Sequence, residues 1–113
     1  MAKVIQNNIY PVIVTVFYGD DPVDVQKYFS DNKPDSDALD HFNYSDPGTT
    51  VGDLDGDVWI YLHKDYIQYI PIIVHEAFHA TEFMMEHVGI KHGKKSSEAF
   101  AYMLQYIVGE MTK

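Results

Sequence analysis

The longest helical pattern in the chain is the segment IQYIPIIVHEAFHATEFMMEH, residues 67–87. Pro71 has no amide hydrogen and is tolerated only in a first helical turn, so the helix is expected to begin between residues 65 and 69. Gly89 is expected to end it. Ile72, Ile73, Val74, Ala77, Phe78, Ala80 and Phe83 make the segment apolar enough to be a central element of the fold. His75, Glu76 and His79 are set into that apolar surface, and polar groups in such a place need partners.

The other elements follow from shorter signals. Residues 9–18 are β-branched and apolar and read as a buried strand. Asp21-Pro22 carries an N-cap residue followed by proline at the first helical position, which predicts a short helix over 23–29. Residues 30–50 are rich in Pro, Asp and Ser and read as a long loop with one helical turn around 38–42. Residues 49–63 read as a hairpin, with strands at 49–54 and 57–63 joined by a two-residue Asp55-Gly56 turn. Period-two alternation in the second strand assigns Val58, Ile60 and Leu62 to the core, and Trp59, Tyr61 and His63 to a face bordering a cleft. Ser96 or Ser97 is expected to cap a last helix over 97–109. The whole describes one α+β domain, a short twisted sheet packed on the 67–87 helix and the C-terminal helix.

Charge and composition narrow the function. The 113 residues hold 17 acidic and 8 basic side chains, a net charge of −9, and every basic residue is a lysine. Residues 1–57 alone set eleven aspartates against three lysines. Such a surface repels phosphate backbones, which argues against nucleic-acid binding; the acidity is read first as solubility, with an acidic rim that attracts cationic substrates as the sharper alternative. No apolar segment approaches the ~20 residues that span a bilayer, so no membrane role is expected. Cysteine is absent, which excludes disulfides and thiolate metal sites and suits a reducing cytoplasm. The acidic run Asp53–Asp57 resembles a calcium loop, but it lacks flanking helices, and Lys64 stands at the twelfth position where a bidentate glutamate belongs.

The chemistry rests on HEAFH, residues 75–79. Histidines four apart lie about 40° from each other on one helical face, so their rings can reach a common point. Glu76 is rotated about 100° from His75 and sits beside that point, suited to a water held there rather than to ligation. Two neutral imidazoles holding one Zn2+, with the glutamate as general base, is the logic of the HExxH motif. The alternative is a pair of hydrogen-bonded helix histidines with no metal. A catalytic site needs a third protein ligand. Glu98, in the first turn of the apolar helix SSEAFAYMLQYI, is the candidate, although an acid there can also simply favour the helix N-terminus. Tyr102, one turn after Glu98, is the candidate for stabilising an oxyanion, with His63 and His92 behind it.

VHEAFHA followed by SSEAFAYMLQYI resembles the gluzincin zinc metallopeptidases, and in particular the very small single-domain gluzincin-like proteins of phages and prokaryotes. The resemblance spans roughly residues 57–109. It implies one zinc per chain on His75, His79 and Glu98, with Glu76 as base. It also implies a peptide or protein substrate lying along an edge strand that would correspond to DVWIYLH. The chain departs from large gluzincins in lacking their second subdomain, and it resembles less well the repressor-cleaving peptidases of mobile elements. A zinc-stabilised interaction module without turnover is the rival expectation.

Overall fold

A computed structural model describes residues 2–6 and 10–113. Strand β1 (Ala2–Gln6) is followed by β2 (Ile13–Tyr18), helix α1 (Pro22–Asn32) and a 3-10 turn (Ala38–His41). Strands β3 (Gly48–Gly52) and β4 (Val58–Leu62) come next, then a second 3-10 turn (Lys64–Tyr66) and helices α2 (Ile70–His87) and α3 (Ser97–Met111). The architecture is α+β, a four-stranded mixed sheet in the order β1-β2-β4-β3 packed against α2 and α3. β2 and β4 are parallel neighbours, and the other two pairings are antiparallel. No helix is long and apolar enough to cross a membrane among the described residues.

Several local signals act as read. The Asp21 carboxylate accepts from the Val23 amide at 2.9 Å and Pro22 opens α1. α2 carries Pro71 in its first turn but starts at Ile70, because residues 64–66 form their own 3-10 turn. Its end is a Schellman motif: Gly89 adopts φ +80°, its amide donates to Glu86, and Ile90 donates to Met85 at 2.8 Å. α3 runs past Gly109 to Met111. Ser96 precedes it, yet its hydroxyl makes no capping bond and instead serves the 91–93 loop, accepting from the Gly93 amide.

Other expectations need correction. The strand expected over 9–18 is β2, which begins at Ile13; residue 9 lies outside the described residues. Tyr10–Val12 forms a turn around Pro11, where Val12 donates to the Tyr10 carbonyl. β1 was not visible in the pattern; it is a short edge strand. The Asp55-Gly56 turn is not the two-residue type, since among the described residues none other than glycine, and so not Asp55, has positive φ. Gly56 (φ +89°) donates to the Asp53 carbonyl, and Asp53 donates to the Asp57 carbonyl, a type I turn closed by a glycine bulge.

β4 departs furthest from the expected arrangement. It is an interior strand, and both of its faces are buried. Val58, Ile60 and Leu62 face α2 and α3, joined by Val14 and Val16 of β2 and by Ile73, Ala77, Met84, Met103 and Ile107. Trp59 and Tyr61 are only 2% and 5% exposed, packed with Phe17, Val25, Phe29 and Phe42 in a second core under α1 and the long loop. The Trp59 ring lies 5.0 Å from Phe29, and the Tyr61 hydroxyl donates to the Asp20 carbonyl at 2.7 Å. Neither side chain is available to a substrate, and the edge next to α2 is β3.

Candidate metal centre

α2 buries Ile73, Ala77, Ala80 and Met84 against the sheet, and this orientation decides where its polar residues go. The His75 and His79 side chains remain 62% and 44% exposed. Their Nε2 atoms approach to 3.2 Å. Two imidazole nitrogens on one tetrahedral zinc, each bonded at about 2.05 Å, stand about 3.3 Å apart, so the spacing fits a shared ion. The tautomer fits as well. His79 Nδ1 lies 3.1 Å from Glu82 Oε1, so it carries the proton that it donates to that carboxylate, and the Nε2 of the neutral ring keeps its lone pair. Without a metal, the same contact is a hydrogen bond from a protonated His75 Nε2 to His79.

Glu76 points the other way, inward. It is 4% exposed, and its Oε1 accepts from the Thr50 hydroxyl of β3 at 2.7 Å. Oε2 lies 3.9 Å from His75 Nε2. Gly48 makes room for this carboxylate, because a Cβ there would stand 2.7 Å from Glu76 Cγ. Gly52 likewise admits the Phe83 ring. β3 and α2 therefore lie side by side, two glycines of the strand meeting Glu76 and Phe83 of the helix.

The open edge of β3 can be read from its pairing. Pro47–His63 and Asp53–Asp57 are bonded pairs at the two ends of the β3–β4 ladder. Alternation then gives bonded pairs at Thr49–Tyr61 and Val51–Trp59. The amides and carbonyls of Gly48, Thr50 and Gly52 consequently point away from β4, toward the open side of the sheet.

The remaining expected residues are not at this point. Glu98 is exposed, and among the described residues no group of three His, Asp or Glu side chains converges as a metal cage would. Tyr102, one turn further along α3, is 71% exposed. The His63 ring accepts from the Asp65 amide at the start of the second 3-10 turn, and His92 stacks on Phe100 with centroids 4.5 Å apart. Thr50, Gly48 and Glu82 were not singled out from sequence. Glu82 had a local signal, standing three residues after His79; the other two had none.

The acidic run of the hairpin also resolves. Lys33 Nζ sits 3.5, 3.4 and 2.8 Å from Asp53, Asp55 and Asp57 and lies over the Trp59 ring. The hydrogen bond to Asp57, followed by the field of the other carboxylates, raises the Lys33 pKa well above the ordinary lysine value. An internal ammonium thus stands where a calcium ion would be needed. Comparison with protein-family models, curated proteins and solved structures finds no match for the chain.

Proposed function

We propose that the protein is a minimal zincin-like peptidase that hydrolyses peptide bonds with His75 and His79 as zinc ligands and Glu76 as general base. The observation that carries this reading is the pairing of the 3.2 Å Nε2 contact with a buried glutamate held by a second element. A helix that only needed satisfied histidines has no use for a neighbouring carboxylate buried at some desolvation cost and fixed by the Thr50 hydroxyl. Glu98 is the third ligand in this reading. It stands in the first turn of α3, which packs on α2.

A bound zinc ion supplies Lewis acidity toward a water and a peptide carbonyl. Thr50 occupies Oε1 of Glu76, leaving Oε2, on the His75 side, to take the proton. Glu76 accepts it as the water oxygen bonds to the carbonyl carbon, then delivers it to the departing amine as the C–N bond breaks. Glu82 keeps the His79 ring in the required tautomer and orientation. The substrate backbone pairs with the open edge of β3 through Gly48, Thr50 and Gly52. This moves the substrate strand from β4, where the sequence put it, to its neighbour.

The exposed position of Glu98 favours a second reading, a zinc-stabilised interaction module without turnover. Glu76→Gln separates the two. Wild type purified with zinc should hold about one ion per chain. The variant should keep that zinc and its fold while turnover of an unstructured peptide library falls at least ~100-fold. A chelator should abolish wild-type cleavage. Equal cleavage by both proteins, or none by either, refutes the peptidase.

A further inference from the structure

Beyond Gly52 the open edge of β3 runs into a cleft of about 600 Å³. The 3-10 turn at 38–41 brings Asp37 and His41 to one side. The last turns of α2 bring Phe83 and Glu86, and the hairpin contributes Gly52 and Leu54. Leu54, 99% exposed at the hairpin tip, and Phe83, with its ring against Gly52, give the cleft an apolar surface. Asp37 precedes the 3-10 turn without capping it, and Glu86 is solvent-exposed. Neither makes an ion pair among the described residues, whereas Asp53, also in the lining, is already matched by Lys33. His87 completes the lining, which contains no lysine. Two unmatched carboxylates on different elements around an apolar surface suit a side chain with an aliphatic stem and a cationic head.

We propose that this cleft is a subsite for a lysine or arginine side chain of an extended peptide lying along β3. The inference rests on the reading of β3 as the substrate strand and adds a substrate class to it. Gly48, against Glu76, and Gly52, at the mouth of the cleft, are separated by four residues of strand, about 13 Å. The basic residue therefore lies about four positions from the bond that is cut. The charge is complementary at longer range too, since the protein carries −9 overall and a cationic peptide is drawn toward it.

The test uses the zinc-loaded Glu76→Gln protein, which should bind without cutting, and fluorescent peptides in which one lysine is walked along an otherwise neutral extended sequence. Norleucine replaces lysine in the control set, keeping the stem and removing the charge. Anisotropy at low salt should show one position at which lysine binds about tenfold more tightly than norleucine, the scale of two partly exposed ion pairs. Adding Asp37→Asn and Glu86→Gln should reduce that preference to within about twofold, as should high salt. Both substitutions are on exposed positions, and a thermal melt verifies the fold. A peptide set with no lysine preference overturns the subsite, as does a preference that survives the two substitutions. Cleavage of the same peptides by wild type is read in parallel. Cleavage indifferent to lysine overturns the subsite and leaves the peptidase, while lysine-selective binding without wild-type cleavage overturns the peptidase and leaves the subsite.

Discussion

Gly48→Ala tests the contact between β3 and α2 without touching either histidine. The backbone at Gly48 has no positive φ, so alanine fits the strand conformation and stiffens the unfolded chain, a gain of about 0.4–1 kcal/mol. The new Cβ would meet Glu76 Cγ at 2.7 Å and Cδ and Oε2 at 3.0 Å, against an optimum of about 3.5–4.0 Å between carbons. Glu76 cannot simply swing into solvent, because it is 4% exposed and tied to Thr50 at 2.7 Å. Displacing it breaks a hydrogen bond to a charged group, about 1.5–3 kcal/mol. The balance is a loss of about 1–2 kcal/mol, or a drop in Tm of about 4–10 °C in a domain of this size. Gly52→Ala is the internal control. Its Cβ would meet the Phe83 ring at 2.8 Å, but that ring is 40% exposed and can move outward, so Tm should stay within about 2 °C of wild type. Differential scanning calorimetry of the three proteins reads the effect. If Gly48→Ala melts with wild type, or if the two variants lose equal stability, the glutamate is not held as described.

Glu82→Ala should weaken zinc binding by ~10–100-fold through loss of the His79 Nδ1 contact, and Glu98→Ala should weaken it further if that residue is the third ligand; competition with a chromophoric chelator measures both, and wild-type affinity in both variants contradicts the ligand set. Lys33→Met keeps a side chain of similar length but takes the ammonium from over Trp59 and leaves Asp53, Asp55 and Asp57 without their cation, at a cost of about 1–2 kcal/mol. Added salt should restore part of that stability in the variant alone, and a salt-insensitive variant would count against the charge cluster. Burial raises the pKa of Tyr18, Tyr44 and Tyr61. A raised folded-state value means that their contribution is fully present below the unfolded tyrosine pKa of about 10 and is lost as pH climbs through the folded values. Alkaline unfolding should therefore coincide with late phenolate absorbance, and titration of all nine tyrosines near pH 10 with the fold intact would exclude it.

The features legible in the sequence are those whose cause lies within a turn or two of chain. Asp21 caps α1 because the amide it satisfies is two residues away. His75 and His79 converge because helical geometry alone brings residues four apart onto one face. The alternation of β4 was correct in parity, with Val58, Ile60 and Leu62 on one side and Trp59 and Tyr61 on the other. Its meaning was not, since alternation separates two faces without saying whether a second layer covers both. Trp59 and Tyr61 gave no polar contrast that would reveal it, as amphipathic aromatics suit either a cleft or a core. That decision came from α1 and the long loop, which carry Val25, Phe29 and Phe42 to the far face of the sheet. The surroundings of Glu76 belong to the same class. Thr50 and Gly48 lie 26 and 28 residues before it, and they reach it only because β3 takes the edge beside β4 and α2 lies alongside that strand. Strand order is settled by competition among distant pairings and by the need to bury two apolar faces at once, and neither leaves a periodic trace in the chain.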